Sequence, residues 1–548
     1  MTPSDSTSRR LRDLSPRGLA MLVAITAAGA VLRIAYQIDR PFTDDEVGTL
    51  QYLALDYGHL LTMFYDWLTM NYYIALVKWV GSFCDNAPWA LVAPSLIAGV
   101  VTIPLVAAAA LRVSGVATAL VAAALIAFNP YLVFYSVQIR SYMLLAAFAI
   151  TALVWLLDWM HHPRWRSGVG CALCCALAML MHPNAVYHVA FLACWYGIWR
   201  FSRGRSCDLA TACRRCASLI VPMIACGILV AAAYLPLLKP IAEFRAMFNA
   251  EAPTPVNYLH LVSGLYFVHG FAVVPTLVLL VIGLWLSVRD RTPVLYLALG
   301  VVIPIVCASW LGVSQFPWTM GRYFIAVVPL LIVIVASAIA LPAGRQRTDV
   351  VVVLTILVAA TWTPNLRAIF VHKYDYPWQD IAAYLNDEVG RSDHILAIEH
   401  RRQHPALNLV PYLDRRTVSV GAYLDGAEQK QQLQRLFVVS ADAPIESAKD
   451  YRNFGVVQVV IYTGDRRSQI ARQLLADLRT SLNNRVAAHL TGQYNLLLKQ
   501  MHALDDGTEW RKYTALYYKC LMRTRRQRHS PSQILNLLPR DQVLTILP

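Results

Sequence analysis

The sequence predicts a polytopic α-helical membrane protein with a smaller α/β domain after its last span, and three observations carry that prediction. Of its 548 residues, 57% are hydrophobic and 15% charged, whereas soluble domains are roughly half apolar and a quarter charged. Apolar runs of about 17 to 22 residues recur through residues 18–366, long enough to cross a bilayer core as helices. Arginines fall in every second connection between these runs, as the positive-inside rule requires of cytoplasmic loops. The net charge of +15 is therefore topological, because the basic residues are dispersed among apolar spans and form no nucleic-acid patch.

In chain order the expected spans lie near 18–37, 90–111, 115–134, 142–159, 168–181, 185–199, 217–238, 270–288, 293–312, 323–342 and 349–365, about eleven in all. The polar, basic residues 1–17 form a cytoplasmic amino terminus rather than a cleavable signal, since the run that follows is long enough to stay as a span. Cytoplasmic connections then hold Arg112, Arg164 and Arg166, Arg200 to Arg215, Arg289 and Arg291, and Arg345 and Arg347. An odd number of spans puts residues 367–548 outside, together with the first outer loop, 38–89. In the tail, 392–398 and 455–461 read as short buried strands, and 378–389 and 466–482 have helical spacing, which suggests the α/β domain. The terminal run Arg523, Arg525, Arg526 and Arg528 reads as a solvated face. Gly168-Val169-Gly170 lacks the preceding strand of a dinucleotide site.

Cysteine chemistry is a minor theme. Cys171, Cys174, Cys175, Cys194, Cys226 and Cys307 fall inside apolar runs, where a thiol behaves as a small hydrophobe. Cys213-Arg-Arg-Cys216 has zinc-like spacing in a basic loop but no second pair.

The polar groups on the outer side form a short list. Asp44, Asp45 and Glu46 follow the first span; Tyr135-Ser136-Val137-Gln138-Ile139-Arg140-Ser141-Tyr142 follows the third; His182-Pro183-Asn184 follows the fifth. Lys239, Glu243 and Arg245 come after the seventh span, and Gly321-Arg322-Tyr323 enters a late one. Carboxylates held at a membrane face usually have a function, and an arginine entering a span is costly unless it snorkels or is paired. The planar guanidinium fork suits a phosphate, so Arg140 and Arg322 are candidate anion ligands. The plainer readings are a solvated acidic loop, snorkelling arginines and a His182 that caps a helix.

The order of these motifs resembles the GT-C membrane glycosyltransferases. An outer Asp-Glu after span one, the Tyr72-Tyr73 helix, Tyr-Ser-x-Gln-x-Arg-x-Tyr after span three, His182, and Arg322-Tyr323-Phe324 are most similar to glycosyltransferase family 39, which includes protein O-mannosyltransferases and bacterial aminoarabinose transferases. Asp375-Tyr376-Pro377-Trp378-Gln379-Asp380 is similar to the segment that opens the outer domain of bacterial members. The resemblance implies inverting transfer of a hexose or pentose from a polyprenyl phosphate to a hydroxyl of a lipid, glycan or protein outside a bacterial inner membrane. It implies Asp45 as the base, with Asp44 as the alternative and Glu46 beside them. Arg140 and Arg322 would hold the leaving phosphate, and Gln138, Tyr142, Tyr72, Tyr73, His182, Tyr187, Lys239 and Tyr323 would line the substrate cavity. No cofactor is expected to be obligatory, a divalent ion being the alternative, and no nucleic-acid partner is expected.

Two departures from that pattern stand out. Leu68-Thr69-Met70 replaces the His-Pro-Pro or Lys-Pro-Pro that many relatives have before the Tyr-Tyr pair, leaving Lys78 or Lys239 to supply a phosphate contact; Gln138 stands where many have an acid. The competing classes are a transporter or flippase of a lipid-linked solute, which paired repeats would favour and this sequence lacks, and a GT-C-like scaffold without turnover.

Overall fold

The structure is a computed structural model that describes residues 11–38, 40, 42–43, 46, 49–50, 53, 56–62, 71–202, 209–237, 273–289, 293–310, 324–340, 348–372, 378–388, 394–398, 435–441, 451–454 and 457–463. The chain divides into two units, Met1–Arg40 with Gln51–His372, and Pro41–Leu50 with Lys373–Pro548.

The first unit is helical, and its helices form on the expected apolar runs. Helix α1 (Pro16–Gln37) begins with proline in its first turn, and Ser15 caps it by accepting from the Gly18 amide at 3.2 Å. One face of α1 buries Leu22, Gly29, Arg33 and Tyr36, while Val23, Val31 and Ile34 are exposed on the other side. The short α2 (Tyr57–Thr62) and α3 (Asn71–Ser82) precede α4 (Pro88–Val113). Next come α5 (Val116–Phe128), α6 (Pro130–Ser136), α7 (Tyr142–His161), α8 (Trp165–Met181), α9 (Ala185–Ser202) and α10 (Leu209–Tyr234). The remaining helices of the unit are α11 (Val273–Arg289), α12 (Val294–Trp310), α13 (Val327–Ala340), α14 (Thr348–Thr361) and α15 (Thr363–His372). Among the described residues, five stretches are long and apolar enough to cross a membrane: Pro16–Gln37, Pro88–Val113, Tyr142–His161, Cys216–Tyr234 and Thr348–Val371. Several shorter apolar helices pack beside them. This is an integral membrane protein.

Two sequence expectations need correction here. The run expected as one span over 115–134 is broken: α5 and α6 meet at Asn129-Pro130 with a bend of 60°. Proline pushes the residue before it out of the helical region, and Asn129 sits at φ −66° and ψ 119°, its side chain accepting from the Leu132 amide at 3.0 Å to start α6. Cys213 and Cys216, expected in a loop, lie within α10, where the Cys216 thiol meets the Tyr196 hydroxyl at 3.3 Å.

Helices α4 and α7 run parallel, joined at both ends. At one end Arg112 pairs with Asp158; at the other the Ser95 hydroxyl donates to the Arg140 carbonyl at 2.8 Å. The second end carries the candidate site. Helix α1 reaches it by passing close to α5. A Cβ on Gly29 would lie 2.6 Å from Ile103 Cδ1 and 3.0 Å from Ala127 Cβ, so only glycine permits this approach. Gly29→Val is expected to lower stability by about 1–3 kcal/mol through overpacking, read as a loss of Tm in detergent; an unchanged Tm would mean that the helices do not meet there.

In the second unit α16 (Trp378–Glu388) buries Ile381, Ala382 and Leu385. Strands β1 (His394–Ile398), β2 (Arg435–Ala441), β3 (Tyr451–Phe454) and β4 (Val457–Thr463) form one sheet in the order β1-β2-β4-β3. β1 and β2 are parallel, and the other pairings are antiparallel, Val438 facing Val460 and Arg452 facing Val459. β1 and β4 are the two strands expected from sequence, shifted by two residues at most; β2 and β3 were not expected. The helix expected over 466–482 and the basic run at Arg523 lie outside the described residues.

Candidate functional site

The site is built where α7 begins. The segment between α6 and α7 cannot continue either helix, because Val137 adopts φ −109° and ψ 6° and the Arg140 amide turns back to the Gln138 carbonyl at 2.8 Å. Its residues are nonetheless interior: Gln138 is 4% exposed, Arg140 2% and Tyr142 1%. Irregular backbone inside a membrane unit is tolerated where protein supplies its hydrogen bonds. Ser95 does so for the Arg140 carbonyl, and the Tyr73 hydroxyl, fully buried on α3, meets Ser95 Oγ at 2.9 Å. The Tyr142 ring lies 5.2 Å from Tyr135 in an edge arrangement and 5.9 Å from the His182 ring. The structure thus brings Tyr73, Arg140, Tyr142 and His182 together from three helix ends, the starts of α3 and α7 and the end of α8.

His182 also performs the plainer role. It ends α8, its own amide donating to the Ala178 carbonyl, and its Nδ1 accepts from the Asn184 amide at 3.2 Å to start α9. An accepting Nδ1 puts the ring proton of the neutral form on Nε2. Tyr187 stacks on Phe324 at 5.9 Å, so α9 approaches the chain one residue after Tyr323.

Tyr72 does not join this group. Successive residues on a helix point about 100° apart, and Tyr72 turns away from Tyr73 to donate its hydroxyl to the Ala233 carbonyl at 2.7 Å, with its ring 6.1 Å from Tyr234. Burial raises the Tyr72 pKa above its ordinary value, which keeps the phenol a donor at any working pH. Lys78, expected as a substitute phosphate ligand, donates to the Leu53 carbonyl at 2.8 Å and lies over the Tyr57 ring. Asn71 ties α3 to the Leu60 carbonyl at 2.7 Å.

In the second unit Glu46 has a local task that its catalytic assignment overlooked. Its carboxylate accepts from the Thr43 amide at 2.8 Å and from the Thr43 hydroxyl at 2.9 Å. This is the carboxylate half of a Thr-x-x-Glu capping box, which ties Glu46 to Thr43. Asp44, Asp45, Lys239, Arg322 and Tyr323 lie outside the described residues. Among the described residues no three His, Cys, Asp or Glu side chains are grouped to hold a metal ion.

Sequence reasoning missed two arginines. Arg33, fully buried in α1, donates to Ser136 and to carbonyls of α1 and α5, and Arg40 donates to the Val137 carbonyl at 2.7 Å. The signal was present, because a cation inside or just beyond an apolar run demands a partner.

No protein-family model and no curated protein matches the sequence. Among solved structures, the fold is similar to that of ArnT from Cupriavidus metallidurans in the apo state, with a TM-score of 0.52 and 13% identity over 81% of this chain and 98% of that one. The same protein bound to undecaprenyl phosphate gives a TM-score of 0.53 and 13% identity over 82% of this chain and 99% of that one.

Proposed function

This chain has the GT-C glycosyltransferase fold, and from that premise we propose that it is an inverting transferase moving one sugar from a polyprenyl phosphate to a hydroxyl of a lipid, glycan or protein. One observation carries the reading: within a unit of this fold, Tyr73, Ser95, Arg140, Tyr142 and His182 are gathered and buried at one end of the bundle. The undecaprenyl phosphate held by the similar ArnT structure supports a polyprenyl-phosphate donor.

In the proposed reaction the acceptor oxygen attacks the anomeric carbon as its proton passes to Asp45. The bond from that carbon to the phosphate oxygen breaks on the opposite face, and its electron pair leaves with the phosphate. Inversion follows from a single displacement. The leaving group is already an anion, so cations rather than a general acid ease its departure, and Arg140 and Arg322 fill that role. No divalent ion is required in this scheme. The topology that accompanies the reading has about eleven spans, a cytoplasmic amino terminus, and the acidic loop and residues 367–548 outside a bacterial inner membrane.

Mass spectrometry of envelope lipids, glycans and proteins with and without the protein tests the reading. A product heavier by one sugar supports it and identifies the acceptor; identical profiles, with transfer absent from purified protein, overturn it. Arg140→Gln and Arg322→Ala are each expected to weaken undecaprenyl phosphate binding by about 10- to 150-fold, the range for a hydrogen bond to a charged group. A ligand-induced thermal shift as large as in the parent protein would remove that arginine from the phosphate site.

A further inference from the structure

The first span carries a cation that the proposed chemistry does not use. Arg33 is 0% exposed, and its guanidinium donates through Nε to Ser136 Oγ at 2.9 Å, through Nη1 to the carbonyls of Gly29 and Ala127, both at 2.9 Å, and through Nη2 to the Ile126 carbonyl at 3.2 Å. Every one of these acceptors is neutral. Ile126 and Ala127 belong to the last turn of α5, where the 60° bend at Asn129 leaves carbonyls without their usual helical donors. A helix carboxyl end is also the negative end of its dipole, which favours a cation there. Arg33 is thus a C-cap delivered to a broken span by a different helix.

The same face of α1 continues the contact through Tyr36, which packs 6.4 Å from the Phe134 ring and 5.2 Å from Phe370, and beyond the end of α1 Arg40 donates to the Val137 carbonyl. From the opposite side α4 closes over the pair at Gly99, where a Cβ would run into Ser136 Oγ and lie 3.4 Å from Arg33 Nε. Ser136 in turn donates to the Leu132 carbonyl within α6. The α5–α6 corner is therefore gripped by α1 and α4 immediately before the chain emerges as Gln138, Arg140 and Tyr142.

We propose that Arg33 is a positioning residue: by capping the broken α5 and pinning Ser136, it holds residues 137–142 in the conformation that presents Arg140 to a polyprenyl phosphate. This deepens the transferase reading and rests on it for the identity of the ligand. Arg33 itself touches no substrate. Its effect passes through Ser136 and the backbone of the corner.

The test uses the full-length protein in detergent with undecaprenyl phosphate as the probe, comparing Arg33→Gln, Arg33→Lys and Asp158→Asn, the last a control at the far end of the bundle. Three quantities are read: Tm, probe affinity, and amide exchange in peptides covering 126–142. Arg33→Gln is expected to lose affinity by about tenfold or more, with faster exchange confined to 126–142. Lysine, a cation with three donors, is expected to restore part of the affinity. Asp158→Asn is expected to lower Tm while leaving affinity unchanged. Parent-like affinity in Arg33→Gln overturns the proposal, as does a loss that simply follows Tm in both variants. If the parent protein fails to bind undecaprenyl phosphate, the donor reading falls, and exchange alone then decides the positioning claim: a local rise at 126–142 supports it and parent-like exchange overturns it. Should Arg33→Gln fail to fold, Ser136→Ala removes the Nε acceptor, together with the hydroxyl's own bond to the Leu132 carbonyl, while leaving the three carbonyl acceptors of Arg33 in place, and is read by the same measurements.

Discussion

Asp45→Asn is expected to lower sugar transfer by about 10²–10⁴, the usual contribution of a positioned base, with Tm and donor binding close to those of the parent. The amide matches the carboxylate in size and still accepts hydrogen bonds, but it cannot take the acceptor proton. Initial rates with a labelled polyprenyl-phosphate sugar, beside a thermal melt, separate lost chemistry from lost fold. Asp44→Asn is the necessary companion, because the Asp44-Asp45-Glu46 run offers two positions for one base. If Asp44→Asn is inactive and Asp45→Asn is not, the base moves by one residue; if both transfer at the parent rate, neither carboxylate takes the proton.

The largest stability effect belongs at the other end of the bundle. Arg112 grips Asp158 with both arms of its fork, Nε to Oδ1 at 2.7 Å and Nη2 to Oδ2 at 3.2 Å, while Nη1 donates to the Ala108 carbonyl at 2.8 Å. The two side chains are only 6% and 14% exposed, so solvent screens the pair weakly. Asp158→Ala strands a buried guanidinium and is expected to cost about 3–5 kcal/mol. The double variant Arg112→Leu with Asp158→Leu is expected to recover most of that loss, since replacing both charges with apolar groups removes the desolvation cost as well as the attraction. Reversible unfolding in detergent measures both. A single variant within about 0.5 kcal/mol of the parent, as for an exposed ion pair, would show that water reaches the site.

The helical architecture and the site follow from sequence to very different degrees. Apolar length depends only on local composition, and the helices duly formed on the expected runs. The Asn129-Pro130 break was written in the sequence as a turn signal, yet the apolar residues on both sides disguised it as one span. Strand β2, Arg435-Leu-Phe-Val-Val-Ser-Ala441, lies between β1 and β4 and lacks a clean alternation; β3 is a polar edge strand whose character comes from pairing with β4. Thr43-x-x-Glu46 is a legible capping box, and the bonds from the Thr43 amide and hydroxyl to the Glu46 carboxylate show it formed. Tyr72 and Tyr73 look equivalent side by side, and only the helices around α3 decide that one meets Ser95 and the other Ala233.

Sequence alone determined that this chain lives in a membrane as a bundle of helices, because each span's apolar length and the arginines between spans are local properties that need no partner. It also determined that Arg140 and His182 stand at helix boundaries. Tertiary structure alone decided what those residues meet, and that Arg33 serves as a cap for α5. Arg33's partners are mostly backbone carbonyls, which every residue carries, so nothing in the letters distinguishes Ile126 and Ala127 from their neighbours until the bend at Asn129 releases them and the close approach at Gly29 brings a guanidinium within reach.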